Sequence, residues 1–587
     1  MKSRYKDRLF FVKIVLMEKV ISFKDLSFQY SAQKQPTLKH IDLDIHKGEK
    51  ILICGPSGSG KSTVGSCING LIPFSYEGKM EGSLKVADIE TKDASIFRLS
   101  AHVGTVLQDS DAQFIGLTVA EDIAFSLEND CVSQEDMYDI AKETAEEVGI
   151  GKQLDHAPGE LSGGQKQRVS LAGVMVSKAG ILLFDEPLAN LDPRTGKSAI
   201  ELIDRIQKET GATCIIIEHR LEDVLWRHVD RVVLIDDGEI KADLDVNSLL
   251  STDTLNTYGI REPLYITCAK YAGVGISPEK KPEHIDSFLL DERDRKLITR
   301  WFHETVIEKR GRSEETALRA EDISFTYPQN RDETLHHISF EIKKGEMVSI
   351  VGQNGAGKST LAKLICGFET ISKGKLYLNG EDITGTTIRS RAKYIGYVMQ
   401  DPNQMISQSM IFDEVALGLR YLNLNEDEIK ERVYKILKVC GLYEFRNWPI
   451  NALSYGQKKR VTIASVLVMG PQIIILDEPT AGQDFRHYTE IMEFLRTINR
   501  EGITVIIISH DMHLMLEYTE RSLVIVDGEM IADKTPSAVL CDRELVERAS
   551  LKETSLFELA LKCGIDDPVA FTDCFISYDR KMRENGR

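Results

Sequence analysis

The sequence predicts an α/β protein of two tandem domains, each with an antiparallel β layer, a mostly parallel core sheet and a helical subdomain. Three observations carry this. The glycine-rich stretch GPSGSGKST at Gly55–Thr63 recurs as GQNGAGKST at Gly352–Thr360, each time between an apolar run and a helical pattern. The residues around the loops recur in register: Lys61 and Lys358 lie 297 positions apart, Gln108/Gln400, Ser162/Ser454, Asp185/Asp477 and Glu186/Glu478 lie 292 apart, and His219/His510 lie 291 apart. Finally, short apolar runs alternate with helical periodicity through both halves, the mark of parallel strands joined by helices.

Each half opens with a strand of alternating polarity, ISFKDLSFQY near Ile21 and AEDISFTYP near Ala320, followed by LKHIDLDI or LHHISFEI; these predict the antiparallel layer. The runs ILIC and VSIV before the glycine-rich loops are apolar throughout, as a strand buried on both faces requires. Farther on, NEDEIKERVYKILKVCGL predicts a helix capped by Asn425, with acids in its first turn and Ile429, Val433, Ile436, Leu437 and Cys440 on one face. SQEDMYDIAKETAEEVGI, capped by Ser133, is its counterpart. The core sheet resumes with ILLFDEP and IIILDEP, ATCIIIEH and ITVIIISH, and RVVLIDDGEI and SLVIVDGEM.

The expected organisation is an N-terminal extension over 1–18, a first domain over 19–245, a connecting segment over 246–316, a second domain over 317–542 and a tail over 543–587. The connector carries 11 Lys/Arg against 12 Asp/Glu, so it is mixed in charge rather than polybasic. Leu264, Tyr265, Ile266, Phe288, Leu289, Leu290, Trp301 and Phe302 could form a small core there, so the segment is expected to be a structured linker or a short accessory subdomain, and the tail to be partly helical.

At 587 residues the chain exceeds what a single core holds, and its formal charge of −18 argues against a general surface for nucleic acid or anionic lipid. Ten cysteines without a C-x-x-C pair, several of them in apolar runs (Cys54, Cys214, Cys366), read as reduced core thiols. The opening MKSRYKDRLFFVKIVLM imitates a signal peptide weakly, but Lys13 interrupts its apolar run and no small-residue cleavage site follows; Met17 is an alternative start. No apolar run reaches about 18 residues, so no transmembrane helix is expected.

Gly55, Pro56, Ser57, Gly58, Ser59, Gly60, Lys61, Ser62 and Thr63, like Gly352, Gln353, Asn354, Gly355, Ala356, Gly357, Lys358, Ser359 and Thr360, fit G-x-x-x-x-G-K-[ST]. That pattern lets backbone N–H groups surround phosphate oxygens while the lysine faces the β/γ-phosphates of ATP and the hydroxyl of Ser62 or Ser359 meets Mg²⁺. Asp185 and Asp477 end apolar strands and are candidate metal ligands. Glu186 and Glu478 stand beside them within reach of an attacking water. Two adjacent carboxylates at a strand end are costly to desolvate and so point to chemistry. Gln108 and Gln400 are expected to complete the metal shell or orient the water, and His219 and His510 to reach the γ-phosphate.

LSGGQ at Leu161–Gln165 and LSYGQ at Leu453–Gln457, each shortly before an Asp-Glu strand, complete a set of five ordered motifs per half that resembles the ATP-binding cassette (ABC) ATPases, a group with the P-loop NTPase fold. The resemblance implies that Asp192 and Asp484 match the family's D-loop, that Tyr30 and Tyr327 stack on adenine, and that two domains pair head to tail around two nucleotides. One composite site would then join Lys61, Asp185, Glu186 and His219 to Ser454, Gly456 and Gln457; the other would join Lys358, Asp477, Glu478 and His510 to Ser162, Gly163, Gly164 and Gln165. Tyr455 replaces the first signature glycine, which predicts an asymmetric pair of sites.

The segments Leu107–Asn129 and MQDPNQMISQSMIFDEVALGLR resemble the corresponding region of energy-coupling factor (ECF) ATPases, which serve importers of vitamins or Co/Ni ions. That likeness implies a transmembrane scaffold subunit and a substrate-binding membrane subunit as partners, attachment to the cytoplasmic face of the membrane, and no nucleic acid. The alternative is a soluble twin-cassette ATPase acting on ribosomes or nucleic acid, which tends to carry a strongly charged connector. A twin-cassette sugar importer is a third possibility, but it usually has one degraded half.

Overall fold

A computed structural model describes residues 18–108, 113–189, 191–306, 313–328, 332–422, 424–481 and 483–585. The described chain divides into two compact units, one drawn from residues 1–191, 195–270 and 274–291, the other from 192–194, 271–273 and 292–587. The expected N-terminal extension lies outside the described residues up to 17.

In the first unit, Leu38–His46, Lys19–Tyr30, Gly78–Val86 and Ile89–Glu90 form an antiparallel sheet in that order. The core sheet runs Glu239–Leu244, Arg231–Asp236, Lys50–Cys54, Thr213–Ile217, Ile181–Asp185, Val103–Val106, parallel except for its first pair. Every residue of Lys50–Cys54 and Thr213–Ile217 is buried, as covering on both faces demands. Lys50 is buried only because its ammonium pairs with Asp204 on helix Pro193–Thr210.

The second unit repeats both sheets. Its core order is Glu529–Lys534, Arg521–Val526, Met347–Val351, Thr504–Ile508, Ile473–Asp477, Ile395–Val398. In each unit the phosphate-loop strand is central, and the strands ending in the acid pair and the histidine turn lie to one side of it. All three strands are parallel and so end at the same edge, where ligands of open α/β sheets collect.

The helical subdomain of the first unit comprises Val119–Asn129, Gln134–Glu147 and Gly163–Val176, joined by Val119, Ile123, Ala141, Ala145, Val169 and Leu171. Its counterpart is Ile411–Arg420, Glu426–Val439 and Tyr455–Leu467. Asn425 caps Glu426–Val439 by accepting from Glu428 N at 2.9 Å, while the Glu428 side chain returns to Asn425 N. Ile429, Val433, Leu437 and Cys440 are buried, and Ile436 is half-buried.

The connector does not build one accessory core. Leu264, Tyr265, Ile266, Phe288 and Leu290 are buried within the first unit, whereas Leu289 is exposed. Trp301 and Phe302 belong to helix Glu292–Glu304 in the second unit and pack on Phe571 of the C-terminal helix Pro568–Asn585. Periodicity revealed the apolar residues but not their division. The tail helices also dock by charge: Arg583 donates to Glu517 at 3.0 Å, and Glu584 accepts from Arg500 at 3.0 Å.

All ten cysteines are free thiols, seven of them buried. Among the described residues no helix is long and apolar enough to cross a membrane.

Candidate active sites

Each phosphate loop starts where its central strand ends. Gly55 and Gly352 adopt φ 155° and 146°, and a β-carbon there would sit 2.0 Å from Ile235 O or 1.9 Å from Ile525 O, so only glycine fits against the neighbouring strand. Helices Lys61–Ile68 and Lys358–Cys366 then carry the loop amides at their N-termini, a setting for anions. Lys61 Nζ donates to Gly55 O at 2.9 Å and Pro56 O at 2.7 Å; Lys358 Nζ donates to Gly352 O and Gln353 O, both at 2.8 Å. Both ammoniums thus sit over their own loops, and burial holds the Lys358 amine below the ordinary lysine range.

The acid pairs close the sites. Ser62 Oγ donates to Asp185 Oδ1 at 3.2 Å, and Ser359 is the residue beside Asp477 at the matching position. Tyr397 OH donates to Asp477 Oδ2 at 2.8 Å. Burial raises both aspartates above the usual carboxylate range. Glu186 and Glu478 take positive φ, 49° and 44°, a strained conformation for glutamate that is held because their amides donate to Ile217 O at 2.8 Å and Ile508 O at 2.9 Å.

The two glutamates have different surroundings. Gln108 Nε2 donates to Glu186 Oε2 at 2.6 Å, while His219 Nδ1 lies 3.9 Å from Glu186 and 3.1 Å from Glu218. Glu218, fully buried, also accepts the amides of His219 at 2.8 Å, Arg220 at 3.2 Å and Leu188 at 3.3 Å. Burial, with the Glu218 and Asp185 carboxylates nearby, pushes the Glu186 carboxyl up to about 7. In the second unit Ser509 stands where Glu218 does. Its hydroxyl donates to Glu478 at 3.2 Å, and His510 Nδ1 lies 2.8 Å from the same carboxylate.

The oxygens gathered at each loop suit a hard cation. Magnesium takes one or two carboxylates plus phosphate oxygens and waters, and Asp185 with Ser62, or Asp477 with Ser359, supply that set. Among the described residues no group of three or more His, Cys, Asp or Glu forms an all-protein metal cage.

Tyr30 OH lies 3.1 Å from Thr63 Oγ1, and Tyr327 OH lies 3.3 Å from Thr360 Oγ1, which seats both rings beside the loops. Ser162 and Ser454 are N-caps of the signature helices, in capping boxes with Gln165 and Gln457. Tyr455 is 40% exposed and its hydroxyl donates to Gln400 O at 3.3 Å.

The profile of the ABC transporter family matches residues 38–189 and 335–481, spans that contain both phosphate loops, both signatures and both acid pairs. The chain belongs to the ABC transporter family. A second family, described as ATP-binding cassette cobalt transporter, matches residues 252–325. The chain is 56% identical to an ABC transporter ATP-binding protein of Clostridium perfringens over 96% of this chain and 99% of that one. It is 55% identical to one of Enterococcus faecalis (96% and 99%) and 51% identical to one of Photobacterium profundum (96% and 100%). A solved structure of cbiO1 from Clostridium perfringens, part of the ABC transporter complex cbiONQ, is 35% identical, covering 42% of this chain and all of that chain at a TM-score of 0.38.

This ABC ATPase therefore binds and hydrolyses ATP with two P-loop NTPase domains in one chain. Sequence reasoning missed Glu218, Tyr397 and Lys459. Placing the two halves in register and looking for mismatches would have singled them out, since their partners are Ser509, Thr105 and Gln167.

Proposed function

We propose that the chain is the ATP-hydrolysing subunit of a membrane importer of the energy-coupling factor type, taking up a vitamin or cobalt or nickel ions at the cytoplasmic face of the cell membrane. The observation that carries this reading is the match of residues 252–325 to the cobalt-transporter family, in a chain whose lobes both keep the lysine, the acid pair and the histidine.

In this reading each ATP lies head to tail between lobes. Lys61, Asp185, Glu186 and His219 face Ser454, Gly456 and Gln457, while Lys358, Asp477, Glu478 and His510 face Ser162, Gly163, Gly164 and Gln165. The loop amides and Lys61 or Lys358 bind the β- and γ-phosphates, and Tyr30 or Tyr327 seats adenine. Magnesium, held by Ser62 and Asp185 or by Ser359 and Asp477 with the Gln108 or Gln400 side chain at its edge, would neutralise charge on the transferring phosphoryl group. Gln108 holds Glu186 in place; Glu186 accepts a proton from water as the water oxygen bonds to the γ-phosphorus, and the bond from that phosphorus to the β–γ bridging oxygen breaks. Glu478 acts likewise, and the histidine stabilises the departing phosphate.

Linking both lobes in one chain raises their effective concentration for each other. Driving a two-state closure from 1:99 to 99:1 requires ATP to favour the closed form by about 5.5 kcal/mol. The motion would reach a scaffold subunit and a substrate-binding subunit through the segments after Gln108 and Gln400, where Ile115 and Leu117 are 66% and 81% exposed.

Purification from detergent-solubilised membranes, with mass spectrometry of the attached chains, tests this. Small hydrophobic membrane subunits are expected. Recovery with ribosomes would instead establish the soluble twin-cassette reading.

A further inference from the structure

Tyr455 occupies a glycine position of its signature turn, yet the side chain is engaged: its hydroxyl reaches Gln400 O at 3.3 Å. One helical turn on, Lys459 is 1% exposed, and its ammonium donates to Met399 O and Gln400 O, both at 2.7 Å. Lys458 extends the contact to Asn403 Oδ1 at 3.5 Å. Three side chains from the first two turns of helix Tyr455–Leu467 thus hold the segment that follows strand Ile395–Val398. A buried ammonium is costly unless every nearby acceptor is turned toward it, so this lysine ties the backbone around Gln400 tightly to the helix.

The first unit is built otherwise. Gly163 has no side chain to offer, and the Gln167 amide donates to Pro187 O, on the loop that follows Glu186.

We propose that Tyr455 and Lys459 are positioning residues, forming a strut that fixes Gln400 to the signature turn at Ser454 so that the two segments of this lobe move as one piece. The inference rests on the catalytic reading above, in which Gln400 serves the Glu478 site. The tyrosine then is a part gained, not a glycine lost.

The test uses the full chain carrying Glu186→Gln, which leaves hydrolysis to Glu478. Lys459→Gln, the residue of the first half, is expected to lower kcat for ATP five- to tenfold with KM within twofold, and the surface change Tyr455→Phe two- to threefold. In a Gln400→Ala background both effects should vanish, because the side chain they position is gone. Equal losses with and without the Gln400 side chain, or no loss from either variant, would overturn the strut. Wild-type hydrolysis in Glu186→Gln combined with Glu478→Gln would overturn the catalytic reading itself, whatever the strut does.

Discussion

The two acid pairs of this ATPase are superposable in sequence and different in wiring. Glu186 is braced by Gln108 and faces the buried Glu218 carboxylate, which lies nearer His219 Nδ1 (3.1 Å) than Glu186 does (3.9 Å); Glu478 instead holds both Ser509 and His510. One residue before each histidine decides this. With a carboxylate there the imidazole sits closer to that residue than to the neighbouring glutamate, and with a serine it sits on the glutamate. The same Asp-Glu pair can therefore hold its glutamate in unlike electrostatic settings, so retention of the pair does not make two sites equivalent.

The comparison breaks outright if the glutamates are not bases. Glu186→Gln with Glu478→Gln is expected to retain ATP binding and lose hydrolysis at least a hundredfold, the scale of a removed general base; steady-state phosphate release checks it. Next comes pH. In the Glu478→Gln protein only Glu186 remains, and it must be ionised to accept a proton. With its carboxyl raised to about 7, kcat/KM should fall about tenfold per pH unit below that value and level off above it. Glu218→Ser in that background copies the second site and removes one cause of the shift, so the acid limb should move to lower pH by a measurable fraction of a unit. An unmoved limb would show that Glu218 has no hold on Glu186.

The smallest effect is at Tyr397, whose phenol bonds to Asp477 where the first site has Thr105. In the Glu186→Gln protein, Tyr397→Phe removes one hydrogen bond to a carboxylate, worth about 1.5–3 kcal/mol in general, and part of that should appear as a rise in KM for ATP. A companion Thr105→Val in the Glu478→Gln protein should change KM less.

Much of the architecture was legible before any coordinates. Apolar runs such as KILIC and TCIII identify strands buried on both faces, and Asn425 and Ser133 announce helix starts because their side chains satisfy orphan amides. The placement of Gly55–Thr63 and Gly352–Thr360 was legible as well, since fixed spacing after a strand is enough to place a loop on a helix N-terminus. Illegible were partners separated by long stretches of chain. Nothing local says that Lys459 reaches Gln400, that the Gln108 amide meets Glu186, or that Trp301 packs on Phe571 rather than with Phe288.

By itself, then, the sequence determined two α/β lobes, their duplicated motifs and the acids and histidines proposed for ATP hydrolysis. These follow from local rules: backbone hydrogen bonding, side-chain periodicity and the glycines a phosphate loop needs. Tertiary structure alone decided which carboxylate each histidine meets, how far burial raises Glu186, and that Tyr455 has a partner. Such outcomes depend on distances and desolvation between residues brought together only when parallel strands end at one edge of the sheet.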